Sequence, residues 1–215
     1  MIAAWGPTAT LLAMRAGAAI VPALPTELAG ALGEVGGAAA YALGRVARRG
    51  IASNLAAVLG PFDPDLVALR AREAFRTQAA NYLDLFRLPR LSLAEVERRV
   101  DVAGWEHLES ALGGGRGAIL AAAHLGNIDR VAQVACARGR PVTIPIEPIE
   151  PPELLALVTG LRAAHGLELV PVDRGALRSV VRALRAGGVA GFTIDRDVQR
   201  TGQPTPLFGR TARLS

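Results

Sequence analysis

A histidine and an aspartate lie close together in the segment from Ala121 to Asp129. Four residues separate His124 from Asp129, and a short turn across that gap can fold the carboxylate back toward one imidazole nitrogen. The other nitrogen is then left to take a proton from an attacking hydroxyl. Gly126 permits a close backbone turn, and amide groups at the start of a following helix can stabilise an oxyanion or a phosphate. The segment therefore predicts general-base catalysis by His124 and Asp129.

The same residue types also fit roles without chemistry. Asn127 or Asp129 can cap a helix, and a histidine after a strand is often structural. Metal binding is the weaker alternative, because one His and one Asp supply too few ligands and no Cys or second His has useful spacing. None of the five serines lies in a Gly-x-Ser-x-Gly setting, and Cys136 lies within an apolar helical pattern. No side-chain nucleophile is therefore predicted, and no metal.

A second polar cluster, Asp195-Arg196-Asp197, follows the apolar run from Val189 to Ile194. Asp195 suits hydrogen bonds to sugar hydroxyls, and the forked donors of Arg196 suit a lipid or coenzyme phosphate. The alternative is a turn in which Arg196 pairs with a neighbouring carboxylate. Glu147 follows another apolar run, where it either faces a cleft or is a solvated loop carboxylate.

The elements that position these clusters alternate between strands and helices. Four short apolar runs predict strands: Ala118 to Ala123, Pro141 to Ile146, Leu167 to Val172 and Val189 to Ile194. Helical patterns lie between them, at Asn127 to Ala137, Pro152 to His165 and Leu177 to Ala186, with Gly139, Gly166 and Gly187 as C-terminal caps. Helix-linked strands that are apolar on both faces predict a mainly parallel α/β sheet, in which both polar clusters lie at the same edge.

Residues 1–100 are predicted to form a helical, membrane-associated N-terminal part and residues 101–215 an α/β core, together as one structural unit. Glycine and proline interrupt the helical part at Pro22 and Pro25, at Gly50, and between Gly60 and Pro64. The block from Asp65 to Leu88 has the pattern of a long amphipathic helix that Pro89 ends. The apolar stretch from Ile2 to Leu24 is interrupted by Arg15 and prolines, which favours an interfacial or core helix over a membrane span or a signal peptide.

Composition narrows the class of partner. The net charge is +5, and all 24 basic residues are arginine, a bias typical of high-GC genomes. Anionic partners suit this charge, but only 4% of residues are aromatic and no nucleic-acid-binding motif is present. The composition therefore favours a membrane surface over nucleic acid. The single cysteine excludes an intrachain disulfide and favours the cytosol.

The segment from His124 to Asp129 resembles the H-x4-D box of glycerolipid acyltransferases. Its His-Leu-Gly-Asn-Ile-Asp sequence is similar to the H-x-G-N-W-D form found in the phosphatidylinositol mannoside acyltransferases of actinobacteria. That group belongs to the family of lipid A lauroyl and myristoyl acyltransferases, in which an H-x4-E form is common. The family's D-R-D segment and its G-x-x-x-x-F-F-G segment resemble Asp195 to Asp197 and Gly202 to Gly209. Ile128 stands where the family usually has Trp, and Leu207 stands where it has the first Phe of the second segment. Both changes bear on acyl or acceptor preference more than on the reaction.

Further stretches extend the resemblance over nearly the whole chain: Asn54 to Gly60, Tyr82 to Pro89, Gly104 to Leu108, Gly115 to Gly117 and Glu147 to Glu153. Family members continue beyond the position of Ser215, so the resemblance implies that this sequence is truncated at its C-terminal end. A sheet without its last strands would expose an apolar edge.

The resemblance implies an acyltransferase that moves a fatty acyl group from acyl-CoA to a mannose hydroxyl of phosphatidylinositol mannoside, an anionic glycolipid. His124 would act as the general base and Asp129 would orient it, with no metal and no cofactor beyond the acyl-CoA substrate. Substrate-binding roles would fall to Gly126, Asn127, Glu147, Asp195 and Arg196. The enzyme would work at the cytoplasmic face of the plasma membrane, as a peripheral or monotopic protein. Two alternatives stay open: a lipid A type acceptor, or a non-catalytic lipid-binding and membrane-docking fragment.

Overall fold

A computed structural model of the chain describes residues 6–60, 63–173, 175–197 and 201–214. The chain forms two compact units. The first unit extends to Arg87 and includes the segment Thr205–Ala212, and the second comprises Leu88–Pro204 and the residues from Arg213 onward. The first residues of the predicted helix from Ile2 to Leu24, like Ser215, lie outside the described residues.

Helices make up the described part of the first unit before Arg87. They are α1 (Pro7–Ile20), α2 (Thr26–Leu43), α3 (Arg45–Leu59) and α4 (Pro64–Arg87). The predicted amphipathic helix from Asp65 to Leu88 is confirmed by α4. The predicted interruption at Gly50 is wrong, because α3 runs through it; the chain leaves helical geometry at Gly44, where ψ is 58°.

Glycines bring α2 and α4 close together. Gly33 and Gly37 are buried one turn apart on α2. A Cβ atom at Gly37 would lie 2.7 Å from the Cα of Arg76, and one at Gly33 would lie 2.9 Å from a methyl carbon of Leu83. Larger residues at either position would push the helices apart. None of the helices within the described ranges combines the length and apolar content that a membrane span requires.

The second unit contains a four-stranded parallel sheet. Its strands are β1 (Ala118–Ala122), β2 (Val142–Ile146), β3 (Glu168–Pro171) and β4 (Val189–Thr193), in the order β1-β4-β2-β3. β4 pairs with β1 on one side and with β2 on the other, and Val189 and Ala190 are fully buried. β1 lies at an edge and exposes Ile119 and Leu120, so the predicted burial on both faces does not hold for this strand.

Helices precede and connect these strands. They are α5 (Leu93–Arg98), α6 (Trp105–Leu112), α7 (Ile128–Ala137), α8 (Pro152–Arg162) and α9 (Ala176–Arg185). The core of this unit forms where apolar side chains of helices and strands meet: Leu108, Ala118, Ala135, Val142, Leu167 and Val189. The predicted fold class, an α/β fold with a parallel sheet flanked by helices, is confirmed. Each predicted strand matches an observed one to within one or two residues at either end.

A β-hairpin that the sequence analysis did not predict follows the sheet. It consists of β5 (Gln203–Leu207) and β6 (Arg210–Leu214). The turn between them places Phe208 at φ 50° and Gly209 at φ 71°, the left-handed pair of a tight hairpin turn. Two prolines within β5 hide the strand pattern, because proline does not donate to a ladder and is typical of edge strands.

Candidate active site

The register of β1 and β4 brings the two polar clusters together. Ala122 is paired with Thr193 at the carboxyl ends of these neighbouring strands. His124 follows Ala122 by two residues, and Asp195 follows Thr193 by two residues, so both side chains leave the sheet at the same level. The amide of Ile194 also donates to the carbonyl of Ala122 at 2.9 Å, which extends the pairing to the site. The predicted convergence of the two clusters on one sheet edge is confirmed.

Asp195 holds the imidazole of His124 through two hydrogen bonds. One carboxylate oxygen lies 2.8 Å from Nδ1 of His124, and the other accepts the backbone N–H of His124 at 3.0 Å. A carboxylate only accepts, so in the neutral imidazole Nδ1 carries the proton and Nε2 presents its lone pair. The side chains of His124 and Asp195 are 36% and 34% exposed, so the pair is in contact with solvent.

The electrostatics of this pair favour an ionised carboxylate. Partial desolvation acts to raise the pKa of Asp195, but the hydrogen bonds from the backbone and imidazole of His124 outweigh it and hold that pKa below its usual value. Asp195 is therefore charged at neutral pH. A fixed negative charge at Nδ1 stabilises the imidazolium that forms when Nε2 accepts a proton.

Asp129 does not take the position that was predicted for it. Its carboxylate pairs with Arg162 at the end of α8, with Nε 2.7 Å from one oxygen and Nη2 3.4 Å from the other. Among the described residues, the imidazole of His124 has its carboxylate contact with Asp195 instead. The cause is the position of Asp129 in the first turn of α7, where Arg162 lies within reach and supplies a permanent positive charge.

The pair of Asp129 and Arg162 belongs to a clamp between α7 and α8. Gln133, one turn further along α7, is fully buried and donates from Nε2 to the carbonyl oxygen of Arg162 at 2.8 Å. The Asp129 and Arg162 side chains are 19% and 31% exposed, so the ion pair is partly screened from water. This clamp fixes the first turn of α7, which directly follows the His124 loop.

The loop itself turns through Gly126 and ends in a helix cap. Gly126 adopts a left-handed conformation with φ 63°, as its predicted role in a close turn requires. The side chain of Asn127 accepts the backbone N–H of Arg130 at 3.0 Å, so it caps α7. The capping alternative for Asn127 is thus confirmed, and substrate binding by Gly126 and Asn127 stays a prediction.

Glu147 and Arg196 form an exposed ion pair at the same edge. Glu147 follows β2, Arg196 follows β4, and their side chains are 3.4 Å apart. Arg196 thus pairs with a carboxylate, as the alternative predicted, but with one from the loop after β2 and not from its own turn. Asp197 accepts the N–H of Gly202 at 3.0 Å. Loops after three neighbouring strands, β1, β4 and β2, therefore supply charged side chains to one surface.

The other histidines and the cysteine take structural positions. Nε2 of His165 contacts the carbonyl oxygen of Leu91 at 2.7 Å, and His107 is exposed on α6. Burial raises the pKa of the Cys136 thiol, which disfavours a nucleophilic thiolate. Within the described ranges, no group of three or more His, Cys, Asp or Glu side chains is arranged to hold a metal ion.

Comparison with known protein families covers most of the chain. The family model described as bacterial lipid A biosynthesis acyltransferase matches residues 7–215. The chain belongs to this family. It is therefore an acyltransferase.

Curated relatives narrow the comparison. The chain is 29% identical over 212 residues to a phosphatidylinositol mannoside acyltransferase of Mycolicibacterium smegmatis, a match that covers 97% of this chain and 69% of the relative. It is 30% identical over 169 residues to proteins of the same name from two strains of Mycobacterium tuberculosis. Those matches cover 75% of this chain and 52% of each relative, so the aligned part spans about half of their length.

Sequence reasoning missed the contact of Arg162 with Asp129 and the contact of Asp195 with His124. Asp195 was predicted to bind an acceptor sugar, and Arg162 was not singled out. Equal offsets of His124 and Asp195 from the ends of their strands are readable in the sequence. They become a signal only once β1 and β4 are known to be neighbours.

Proposed function

We propose that this acyltransferase moves a fatty acyl group from an acyl-CoA thioester to a mannose hydroxyl of a phosphatidylinositol mannoside. The observation that carries the proposal is the hydrogen bond between Nδ1 of the partly exposed His124 and the carboxylate of Asp195. The mannoside acceptor is supported by the names of the curated relatives. No metal or further cofactor takes part in the proposed reaction.

In the proposed reaction Nε2 of His124 takes the proton of the sugar hydroxyl while the hydroxyl oxygen attacks the carbonyl carbon of the thioester. Backbone amide groups in the first turn of α7 stabilise the resulting oxyanion. The C–S bond then breaks, and the leaving thiolate of CoA takes the proton from the imidazolium. Asp195 keeps the imidazole in the required tautomer throughout.

The remaining predicted residues position these groups and the substrates. Asp129, in its pair with Arg162, holds the first turn of α7 and so the loop that carries His124. Asp129 is thus proposed to act on catalysis through this loop. Glu147 and Arg196 are proposed to bind the acceptor, Arg196 through the lipid phosphate and Glu147 through sugar hydroxyls.

We place the reaction at the cytoplasmic face of the plasma membrane, with the protein bound peripherally. Several large apolar side chains of the first unit are exposed, including Leu12, Ile20, Leu43 and Val46 at 57–83%. Side chains of this kind suit the boundary between headgroups and acyl chains.

The test is CoA release from palmitoyl-CoA in the presence of phosphatidylinositol mannoside, with the acylated product identified by mass spectrometry. We expect His124→Ala to lower kcat by about 10²- to 10⁴-fold, the usual contribution of a general base. His107→Ala is the matched control, since His107 is exposed on α6, and it is expected to keep full turnover.

Two outcomes would contradict the proposal. Equal CoA release by the wild type and His124→Ala, or none by either, would favour a lipid-binding module without turnover. Turnover with a lipid A precursor but not with the mannoside would assign the acceptor named in the family description instead.

A further inference from the structure

Helix α9 has a row of arginines on its exposed side. Arg178, Arg182 and Arg185 recur at positions i, i+4 and i+7, so they lie along one side of the helix. All three are exposed to solvent. At 1.5 Å per residue the row extends over about 10 Å, which exceeds the size of a single phosphate group.

Apolar side chains border this row. Leu177 is 72% exposed, and Val181 is partly buried next to it. Both residues line an open depression of about 450 Å³ together with the three arginines. The side of α9 that packs in the fold is a different one, because it carries the buried residues Ala176 and Val180. Leu177 is therefore available for contact outside the fold.

The charge of this face is largely uncompensated. Arg182 lies 3.6 Å from Glu168, in a pair whose side chains are 73% and 50% exposed. An exposed pair of this kind holds its arginine weakly. Within the part of the chain that the structure describes, neither Arg178 nor Arg185 has a carboxylate at ion-pair distance. The face thus combines two unpaired cations, one weakly paired cation and an exposed leucine.

We propose that α9 is a membrane-docking helix that lies on the surface of an anionic lipid bilayer. The three arginines bind lipid phosphates, and Leu177 enters the boundary between headgroups and acyl chains. A bilayer fits better than a nucleic acid, because the row carries an apolar side chain and no aromatic ring for stacking. The inference rests on the proposed function only in that the acceptor is a membrane lipid.

This position suits the proposed reaction. The strands are parallel, so the carboxyl end of β3 and the first turn of α9 lie at the same edge of the sheet as His124. Leu177 belongs to that first turn. Docking through Leu177 would hold the edge that carries the catalytic base close to the lipid surface.

The experiment measures sedimentation of the full chain with vesicles of equimolar phosphatidylcholine and phosphatidylglycerol, and with vesicles of phosphatidylcholine alone. We expect Arg178→Gln combined with Arg185→Gln to lower partitioning onto the anionic vesicles by about 30-fold, since each arginine near such a surface contributes about fivefold. Leu177→Gln should lower partitioning by roughly tenfold on both kinds of vesicle. Added salt should weaken the wild type more than the double variant.

The matched control is Arg98→Gln combined with Arg116→Gln, which removes the same charge from exposed positions outside α9. Equal loss in this control would reduce the effect to net charge and overturn the proposal. Unchanged vesicle binding of the α9 variants would also overturn the proposal. So would heparin binding that is as strong as vesicle binding and is unaffected by Leu177→Gln. Circular dichroism of each variant confirms that it is folded.

Turnover in micelles of a neutral detergent separates this inference from the proposed function. The α9 variants are expected to keep wild-type turnover there, because the micelle delivers the acceptor without an anionic surface. If the wild type binds anionic vesicles through α9 but releases no CoA, the proposed reaction is contradicted and the docking role of α9 is supported. Loss of micellar turnover in a folded α9 variant would instead place these arginines in substrate binding and overturn the docking role.

Discussion

The segments that follow β1 and β4 each contain an aspartate, Asp129 in the first turn of α7 and Asp195 in the loop after β4, but the two carboxylates have different kinds of partner. Asp129 pairs with Arg162, whose charge is permanent, whereas Asp195 pairs with His124, whose charge changes when a proton is transferred. A carboxylate beside a permanent cation stabilises one arrangement of the backbone. A carboxylate beside an imidazole also stabilises the change of charge that base catalysis requires. In the proposed mechanism Asp129 therefore positions the loop, and Asp195 supports proton transfer.

Replacement of each aspartate by asparagine tests this difference between the two carboxylates most directly, and Asp195→Asn should have the largest effect. The amide removes the negative charge at Nδ1 and no longer selects one tautomer, so kcat is expected to fall by about 10²- to 10⁴-fold with little change in KM. Steady-state kinetics with palmitoyl-CoA measure this. Asp101→Asn, at an exposed position away from the site, is the control. A kcat within about twofold of wild type would remove Asp195 from the proposed mechanism.

The second prediction concerns Asp129→Asn, which should act on stability first. Arg162 would lose the partner of a partly buried guanidinium, at a cost of about 1–3 kcal/mol in the free energy of unfolding. Denaturant unfolding measures it. Adding Arg162→Gln should cost less than the sum of the single changes, with a coupling energy of roughly 1 kcal/mol. Strict additivity would show that the pair is not the clamp we describe, and a larger kcat loss than in Asp195→Asn would reverse the comparison.

The smallest effect is expected at the third pair of the edge, Glu147 and Arg196. Its side chains are 44% and 59% exposed, so Arg196→Gln should change stability by less than about 1 kcal/mol. If the pair binds the acceptor, the same variant should raise KM for the glycolipid several-fold at an unchanged kcat. Arg70→Gln, which breaks the exposed pair with Glu73 on α4, is the matched control for an ion pair outside the site. An unchanged KM in Arg196→Gln would exclude the pair from acceptor binding.

The strands and helices of the second unit are largely readable from the sequence. Apolar runs of strand length alternate with amphipathic stretches, and glycines end the helices, so local pattern and observed element agree at β2 and at α8. The hairpin of β5 and β6 was missed because its prolines conflict with an ordinary strand pattern. Gly50 was misread as a break, because a helix tolerates an isolated glycine at moderate cost.

Some features of the candidate site could likewise be predicted from the sequence, and others could not. The sequence by itself determined the candidate base, His124, because an imidazole that follows a strand and precedes a glycine turn is a local feature. It also determined that the second cluster would reach the same edge, since parallel strands end on one side. Those conclusions depend only on the types and order of residues along the chain.

Only the tertiary structure decided which carboxylate contacts the imidazole. Asp129 is five residues from His124 in the chain and Asp195 is 71, yet the shorter separation does not give the contact. The order of the strands makes β1 and β4 neighbours, and their register sets His124 level with Asp195. Asp129, in the first turn of α7, instead lies within ion-pair distance of Arg162. Strand order and register depend on packing of the whole unit, which no short segment of sequence specifies.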